Sequence, residues 1–295
     1  MVSVEEAKSL ISEHTPILST HQLLLNEGLG FVLAEDVVAG IDMPPFPQSA
    51  MDGYALGRPF DSAQGDSYTE NSTFSVIGEV AAGSSTQFEL KEGECVRIFT
   101  GAPVPESAAA VVQQEWVERN DDQMSLTQEV KARMHIRPQG EQMKRGDVAL
   151  QKGTFLNAAT VGFLAMIGVT DVKVFNKPKV AVLVTGNELV KPGTPLEYGQ
   201  IYESNSAMLV AALKHEGIEA ECVAVPDDFE QTKSAISQAI SGCDVLILSG
   251  GISVGDHDHV GKALIDLGTT ELFYKVRQKP GKPLFFGKME EKIVF

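Results

Sequence analysis

The chain has 295 residues, with 40 acidic against 24 basic side chains and a formal net charge of −16. That length exceeds one ordinary core and fits two or three domains, and that charge argues against non-specific binding to nucleic acid or to an anionic membrane. Any anionic ligand must therefore meet a local basic patch. Three cysteines, Cys95, Cys222 and Cys243, form no C-x-x-C pair, so they read as small apolar residues in a reducing compartment rather than as a disulfide framework or a zinc site. The start of the chain lacks a basic-then-apolar leader, and no apolar run nears the roughly eighteen residues of a membrane span. A cytoplasmic protein with neither nucleic acid nor membrane as partner is expected.

Ser3 and Glu6 have capping-box spacing and predict a helix over residues 4–13, with a second around Gln22 to Asn26. Residues 31–38 form a short β-like run. Pro44, Pro45 and Pro47 then break regular structure and mark a crossing between domains. From about residue 49 to 137, short apolar runs at 73–80, 94–99 and 109–115 are separated by Gly, Pro, Ser and Asp, the texture of a small, mainly β domain. Asn157 then suits the N-cap of a helix with Val161, Leu164 and Ala165 on one face and Gly168 at its end. The rest alternates: strands at 180–184, 220–225, 245–248 and 272–276, helices at 206–215, 229–240 and 260–267, with Gly217 and Gly268 as stops. Such alternation indicates a mostly parallel sheet with helices on both faces. The expected class is α/β and multidomain: residues 1–47 and 139–177 as a discontinuous linker domain, 48–138 as the small mainly β domain, and 178–295 as the sheet domain. Residues 292–295 read as the start of a buried strand that simply stops, which is unusual at a native terminus.

In an open parallel sheet the ligand crevice lies outside the carboxyl ends of the strands. Here those exits read Thr185-Gly186-Asn187-Glu188, Pro226-Asp227-Asp228, Ser249-Gly250-Gly251-Ile252-Ser253 continuing to Asp258, and Lys279-Pro280-Gly281-Lys282-Pro283. The Ser-Gly-Gly loop can bring backbone N–H groups close to an anionic oxygen, although a strand-to-helix turn calls for glycine equally well. Lys279 and Lys282 tip the balance toward phosphate, because they supply the positive charge that the chain otherwise lacks. Glu188, Asp227, Asp228 and Asp258 have the oxygen ligands Mg²⁺ takes. Asp228 and Asp256 also suit helix N-caps and are assigned there, whereas Glu188 and Asp258 are assigned to the metal. His257 and His259 flank Asp258 without a third ligand and read as exposed imidazoles. The common dehydrogenase, NTPase, hydrolase and metalloprotease motifs are absent.

Five ordered motifs then combine: S-A-M-D-G-Y-A at 49–55, R-I-F-T-G-A-P-V-P at 97–105, T-G-N-E-L at 185–189, S-G-G-I-S-V-G-D at 249–256 and K-P-G-K-P at 279–283. Together they resemble the MoeA and gephyrin E-domain family of molybdopterin molybdenumtransferases, from near the N-terminus to residue 295. The resemblance implies a molybdopterin-binding type of sheet domain, an elongated linker domain, and an enzyme that takes adenylylated molybdopterin (molybdopterin-AMP) and molybdate, with Mg²⁺, and releases AMP. It implies catalytic roles for Asp52, Thr100, Glu188, Asp227 and Asp258, with Asp52 and Thr100 reaching the site across a homodimer. Thr185, Gly186, Ser249, Gly250, Gly251, Ser253, Lys279 and Lys282 would bind substrate, and Glu188 and Asp258 the metal. A molybdopterin adenylyltransferase and molybdoenzyme apoproteins are the further partners implied. Asn187 and Gln142 stand where family members often carry acids, which weakens metal binding at those two positions. The family also continues past this point with a β-barrel-like domain that this sequence lacks, so a truncated chain with reduced activity is expected. Two alternatives remain open, an adenylyltransferase and a peptide-binding scaffold of the gephyrin kind.

Overall fold

A computed structural model describes residues 1–58, 67–251 and 259–295. By contacts the chain divides into two units, one of Met1–Ala34, Phe155–Asn157 and Lys173–Phe295, the other of Glu35–Thr154 and Ala158–Val172.

The first unit is built on a six-stranded sheet in the order Ala220–Val225, Val180–Thr185, Val245–Ser249, Lys292–Val294, Pro283–Met289, Thr270–Lys275. Neighbours among the first four pair in parallel, and the last two pairings are antiparallel. The sheet is therefore mixed α/β. Helices Phe229–Gly242 and His259–Asp266 bury Ile236, Ile240, Val260, Ala263 and Leu264 against Leu183, Leu246, Phe285 and Val294. Phe286 and Ile293, the next residues along the same strands, join a separate cluster with Ala7, Phe273 and Val276. This period-two alternation shows two covered faces. The second cover is the helix Val4–His14, opened by the Ser3/Glu6 capping box that the sequence announces. Each fully buried phenylalanine contributes about 1.5–3 kcal/mol of hydrophobic stabilisation. Residues 292–295, read as a strand start, supply the strand Lys292–Val294 in the middle of the sheet.

One local expectation fails: Gln22 to Asn26 is not a helix but the end of a strand, Thr20–Leu24, followed by a single 3-10 turn, Leu25–Glu27. Helical propensity over five residues is a weak prior that tertiary pairing overrides. The helices Asn205–His215, Phe229–Gly242 and His259–Asp266 match their expected positions, with Gly217 and Gly268 at φ +71 and +86 as stops.

The second unit carries its own six-stranded sheet, ordered Ala108–Gln113, Gly53–Gly57, Glu94–Ile98, Thr73–Val80, Gln123–Leu126, Val117–Asn120. All pairings are antiparallel except Thr73–Val80 with Glu94–Ile98. Tyr54, Leu56, Cys95 and Val112 pack on one face while Ala55, Val96, Ile98 and Val111 pack on the other. The helix Ala158–Met166 buries Leu164 and is followed by Gly168 at φ +80. Among the described residues no helix is long and apolar enough to cross a membrane.

Candidate functional site

Three parallel neighbours, Val180–Thr185, Ala220–Val225 and Val245–Ser249, end at one edge of the first sheet and bring their exit loops together. Thr185 is 2% exposed and its hydroxyl has no hydrogen-bond partner among the described residues. Beside it, Asp227 donates its backbone N–H to the Asn187 side-chain oxygen at 3.2 Å, while its own buried Oδ1 has no partner among the described residues. An unpaired buried polar atom costs about 1–3 kcal/mol, and two of the five such side-chain atoms among the described residues lie at this sheet end. Asp228, next in sequence, is satisfied: its carboxylate caps the helix Phe229–Gly242 by accepting from Gln231 N–H at 2.9 Å.

The Ser-Gly-Gly turn is fixed by space. A Cβ at Gly250 would lie 2.0 Å from the Thr185 carbonyl oxygen, and one at Gly251 would lie 2.5 Å from the Thr185 hydroxyl. These glycines let the two strand ends close on each other, so their first duty is packing, with the open hydroxyl of Thr185 as a result. Ser249 accepts from the Asn205 side-chain amide at 2.9 Å. Glu203, one turn away, is opposed in its charged form by burial, yet hydrogen bonds from the Ser206 side chain and backbone and from Asn205 N–H outweigh this and hold its carboxyl below the usual range. Neither Glu203 nor Asn205 was singled out from the sequence. The run Glu-Ser-Asn-Ser at 203–206, polar side chains at a helix start, was the available signal.

Glu188 is exposed at this edge. Lys279 and Lys282 are also exposed, on the loop between Thr270–Lys275 and Pro283–Met289. Two antiparallel steps return Thr270–Lys275 to the direction of Val245–Ser249, so this loop leaves from the same end. The two strands this loop joins lie two and three places from Val245–Ser249 in the sheet, a lateral offset of roughly 10–15 Å at about 4.8 Å per strand. Asp258, Ser253, Asp256 and His257 lie outside the described residues. Among the described residues no group of three or more His, Cys, Asp or Glu side chains is placed to hold a metal ion.

In the second unit Asp52 and Thr100 meet. The antiparallel register sets Gly53 opposite Ile98, so the residues just beyond each, Asp52 and Phe99-Thr100, are neighbours. Thr100 donates both its N–H and its hydroxyl to Asp52 Oδ1, each at 2.8 Å. These bonds, backbone first, hold the Asp52 carboxyl below its usual range, aided by the nearby Arg97 charge. Arg97 lies over the rings of Tyr54 and Phe99, 5.1 and 5.2 Å from their centroids.

The two six-stranded sheets and the helices packed on the first define a class: a mixed α/β protein of two compact units. The sequence families agree. "MoeA N-terminal region (domain I and II)" matches residues 2–168 and "Probable molybdopterin binding domain" matches 181–295. The chain is 38% identical to the molybdopterin molybdenumtransferase of Haemophilus influenzae, over 98% of this chain and 70% of that one. It is 36% identical to the protein of that name from Staphylococcus epidermidis, over 100% and 70%. The crystal structure of the molybdopterin biosynthesis moeA protein from Pyrococcus horikoshii OT3 superposes with a TM-score of 0.79 at 32% identity, covering 100% of this chain and 73% of that one. The chain belongs to the MoeA family.

Proposed function

We propose that this chain serves molybdenum cofactor biosynthesis as a molybdopterin molybdenumtransferase, the activity named for its relatives. The observation that carries the reading is the pair of unpartnered buried polar atoms, Thr185 Oγ1 and Asp227 Oδ1, at the carboxyl end of the sheet that matches the molybdopterin-binding family. The substrates are molybdopterin-AMP and molybdate. In this reading Thr185, Gly186, Ser249, Gly250, Gly251 and Ser253 receive the pterin-nucleotide, and Lys279 and Lys282 neutralise phosphate oxygens. The lateral offset of roughly 10–15 Å between Ser249 and the lysine loop suits an extended, two-part substrate.

Glu188 and Asp258 would hold Mg²⁺, which takes one or two carboxylates and completes its shell with water and phosphate. When bound it neutralises charge on the adenylate phosphates. Asp227 would take a proton from a water held toward the phosphoanhydride, whose oxygen bonds to the phosphorus on the molybdopterin side as the bridging P–O bond breaks and AMP departs with that oxygen and its electron pair. Asp52 and Thr100 serve the same reaction across a homodimer, with Asp52 kept ionised by its bonds from Thr100. The match of residues 2–168 to the MoeA N-terminal region favours this over the adenylyltransferase reading. The reading includes a cytoplasmic location, a three-part division at 1–47 with 139–177, 48–138 and 178–295, and an adenylyltransferase and molybdoenzyme apoproteins as partners.

AMP release from adenylylated molybdopterin on adding molybdate and Mg²⁺ tests the proposal. The Asp52→Ala variant is expected to keep the wild-type melting temperature and lose release at least a hundredfold. Full release by that variant would remove Asp52 from the reaction.

A further inference from the structure

The opposite end of the first sheet is basic. Lys177 and Lys179 precede the strand Val180–Thr185, and Lys292 opens the strand Lys292–Val294. Both strands run parallel to Val245–Ser249 and flank it, so their starts lie at one end, away from the loops described above. There the three lysines, with Ser19, Asn176 and Asp244, line a hollow of about 660 Å³, within the usual range of small-molecule sites.

Two of the ammonium groups are held in place. Lys292 Nζ donates to the Cys243 carbonyl at 2.6 Å, and Lys177 Nζ donates to the Gly217 carbonyl at 2.9 Å while lying 4.6 Å from the centre of the Phe31 ring. Each spends one of its three donors. Lys179 gives its backbone N–H to Asp244 Oδ2 at 2.8 Å, and its ammonium has no hydrogen-bond or ion-pair partner among the described residues. Asp244 is the sole carboxylate in the lining, which leaves two net positive charges. Lysines normally spread over a surface to avoid such repulsion. Gathering three of them at one hollow in a chain of net charge −16 gives that hollow the charge to take an anion, and a phosphate monoester, about −1.5 to −2 at pH 7, matches it.

A second hollow of about 920 Å³ shares Lys177 and Lys179 with the first and continues over Ala181, Val223, Ala235 and Ala239. Val223, 47% exposed, lies on the strand Ala220–Val225, which forms the outer edge of the sheet. Glu219 and Glu221 line only this second hollow and repel a second anionic group there. We propose that the amino end of this sheet binds a small phosphate monoester with an apolar body, its head at Lys177, Lys179 and Lys292 and its body along Ala181 and Val223.

Phenyl phosphate is the probe, titrated calorimetrically into the full chain beside inorganic phosphate and phenol. Phenyl phosphate is expected to bind at least tenfold more tightly than either fragment. Lys179→Glu, at an exposed position, should weaken it at least tenfold with no change in melting temperature, and Lys292→Met should weaken it as well. The double variant Lys279→Ala/Lys282→Ala, at the other sheet end, should bind it like wild type. Unchanged affinity in Lys179→Glu, or loss of binding in the double variant, overturns the assignment. Inorganic phosphate binding as tightly as phenyl phosphate overturns the part given to the apolar hollow.

Discussion

Both six-stranded sheets bury both faces, but they gather their polar groups in different ways. In the sheet of Val180–Thr185, shared strand direction delivers the exits at Thr185, Pro226 and Ser249 to one end whatever the exact pairing. In the sheet of Gly53–Gly57, antiparallel neighbours send loops to both ends, and Asp52 finds Thr100 only because Gly53 is set opposite Ile98. A slip of one residue would turn the side chains to the other face. Direction builds the first site and register builds the second.

The sharpest break of this comparison is steric. A Cβ at Gly53 would lie 1.7 Å from the Val112 carbonyl oxygen, on the neighbouring strand Ala108–Gln113 that pairs along its other side. Gly53→Ala is expected to cost more than about 3 kcal/mol or to prevent folding. Gly250→Ala, with its Cβ 2.0 Å from the Thr185 carbonyl and φ +93, should cost as much. Gly101, at φ +81 with nothing within 4 Å of a Cβ, is the control, and its alanine variant should cost about 1 kcal/mol. Urea unfolding measures all three, and equal costs would show that close strand approach is not what these positions protect.

A smaller effect separates two adjacent acids. Asp228→Ala loses an N-cap and should destabilise the protein by about 1 kcal/mol, whereas Asp227→Asn removes a charge whose Oδ1 bonds nothing and should leave stability nearly unchanged. The smallest is a titration shift. Thr100→Val deletes one of the two bonds that depress Asp52, so the carboxyl observed by ¹³C NMR should titrate at higher pH than in wild type. Because the folded value is the depressed one, the stability Asp52 lends is present above its unfolded value of about 3.9 and is lost as pH falls through the folded value. The variant should therefore lose less on acidification. An unmoved titration would assign the depression to the backbone N–H of residue 100 and to Arg97, with no share for the hydroxyl.

Local signals were legible in the sequence and pairings were not. The Ser3/Glu6 capping box, the Asp228 cap and the stops at Gly217 and Gly268 each depend on residues a few positions apart, and the structure has them where the sequence places them. The β/α alternation likewise announced strand direction, and so the edge where Thr185, Asp227 and Ser249 meet. The Gln22–Asn26 segment was misread because a strand at Thr20–Leu24 owes nothing to its own composition. The family resemblance named Asp52 and Thr100 but not the bond between them, since a register contact across a separation of 48 positions leaves no local trace. Lys177, Lys179 and Lys292 drew no notice because only the fold brings the last to the first two. Asn205 was passed over because its tie to Ser249 spans 44 positions.

The most direct measurement is an equilibrium titration of adenylylated molybdopterin into the chain and its Asp227→Asn, Asp228→Ala and Lys279→Ala/Lys282→Ala variants. If the carboxyl end of the first sheet is the binding site, the wild-type chain and Asp228→Ala bind alike, while Asp227→Asn and the double-lysine variant lose at least tenfold in affinity. Binding by all four with equal affinity, or by none of them, would contradict the placement of the substrate at that edge.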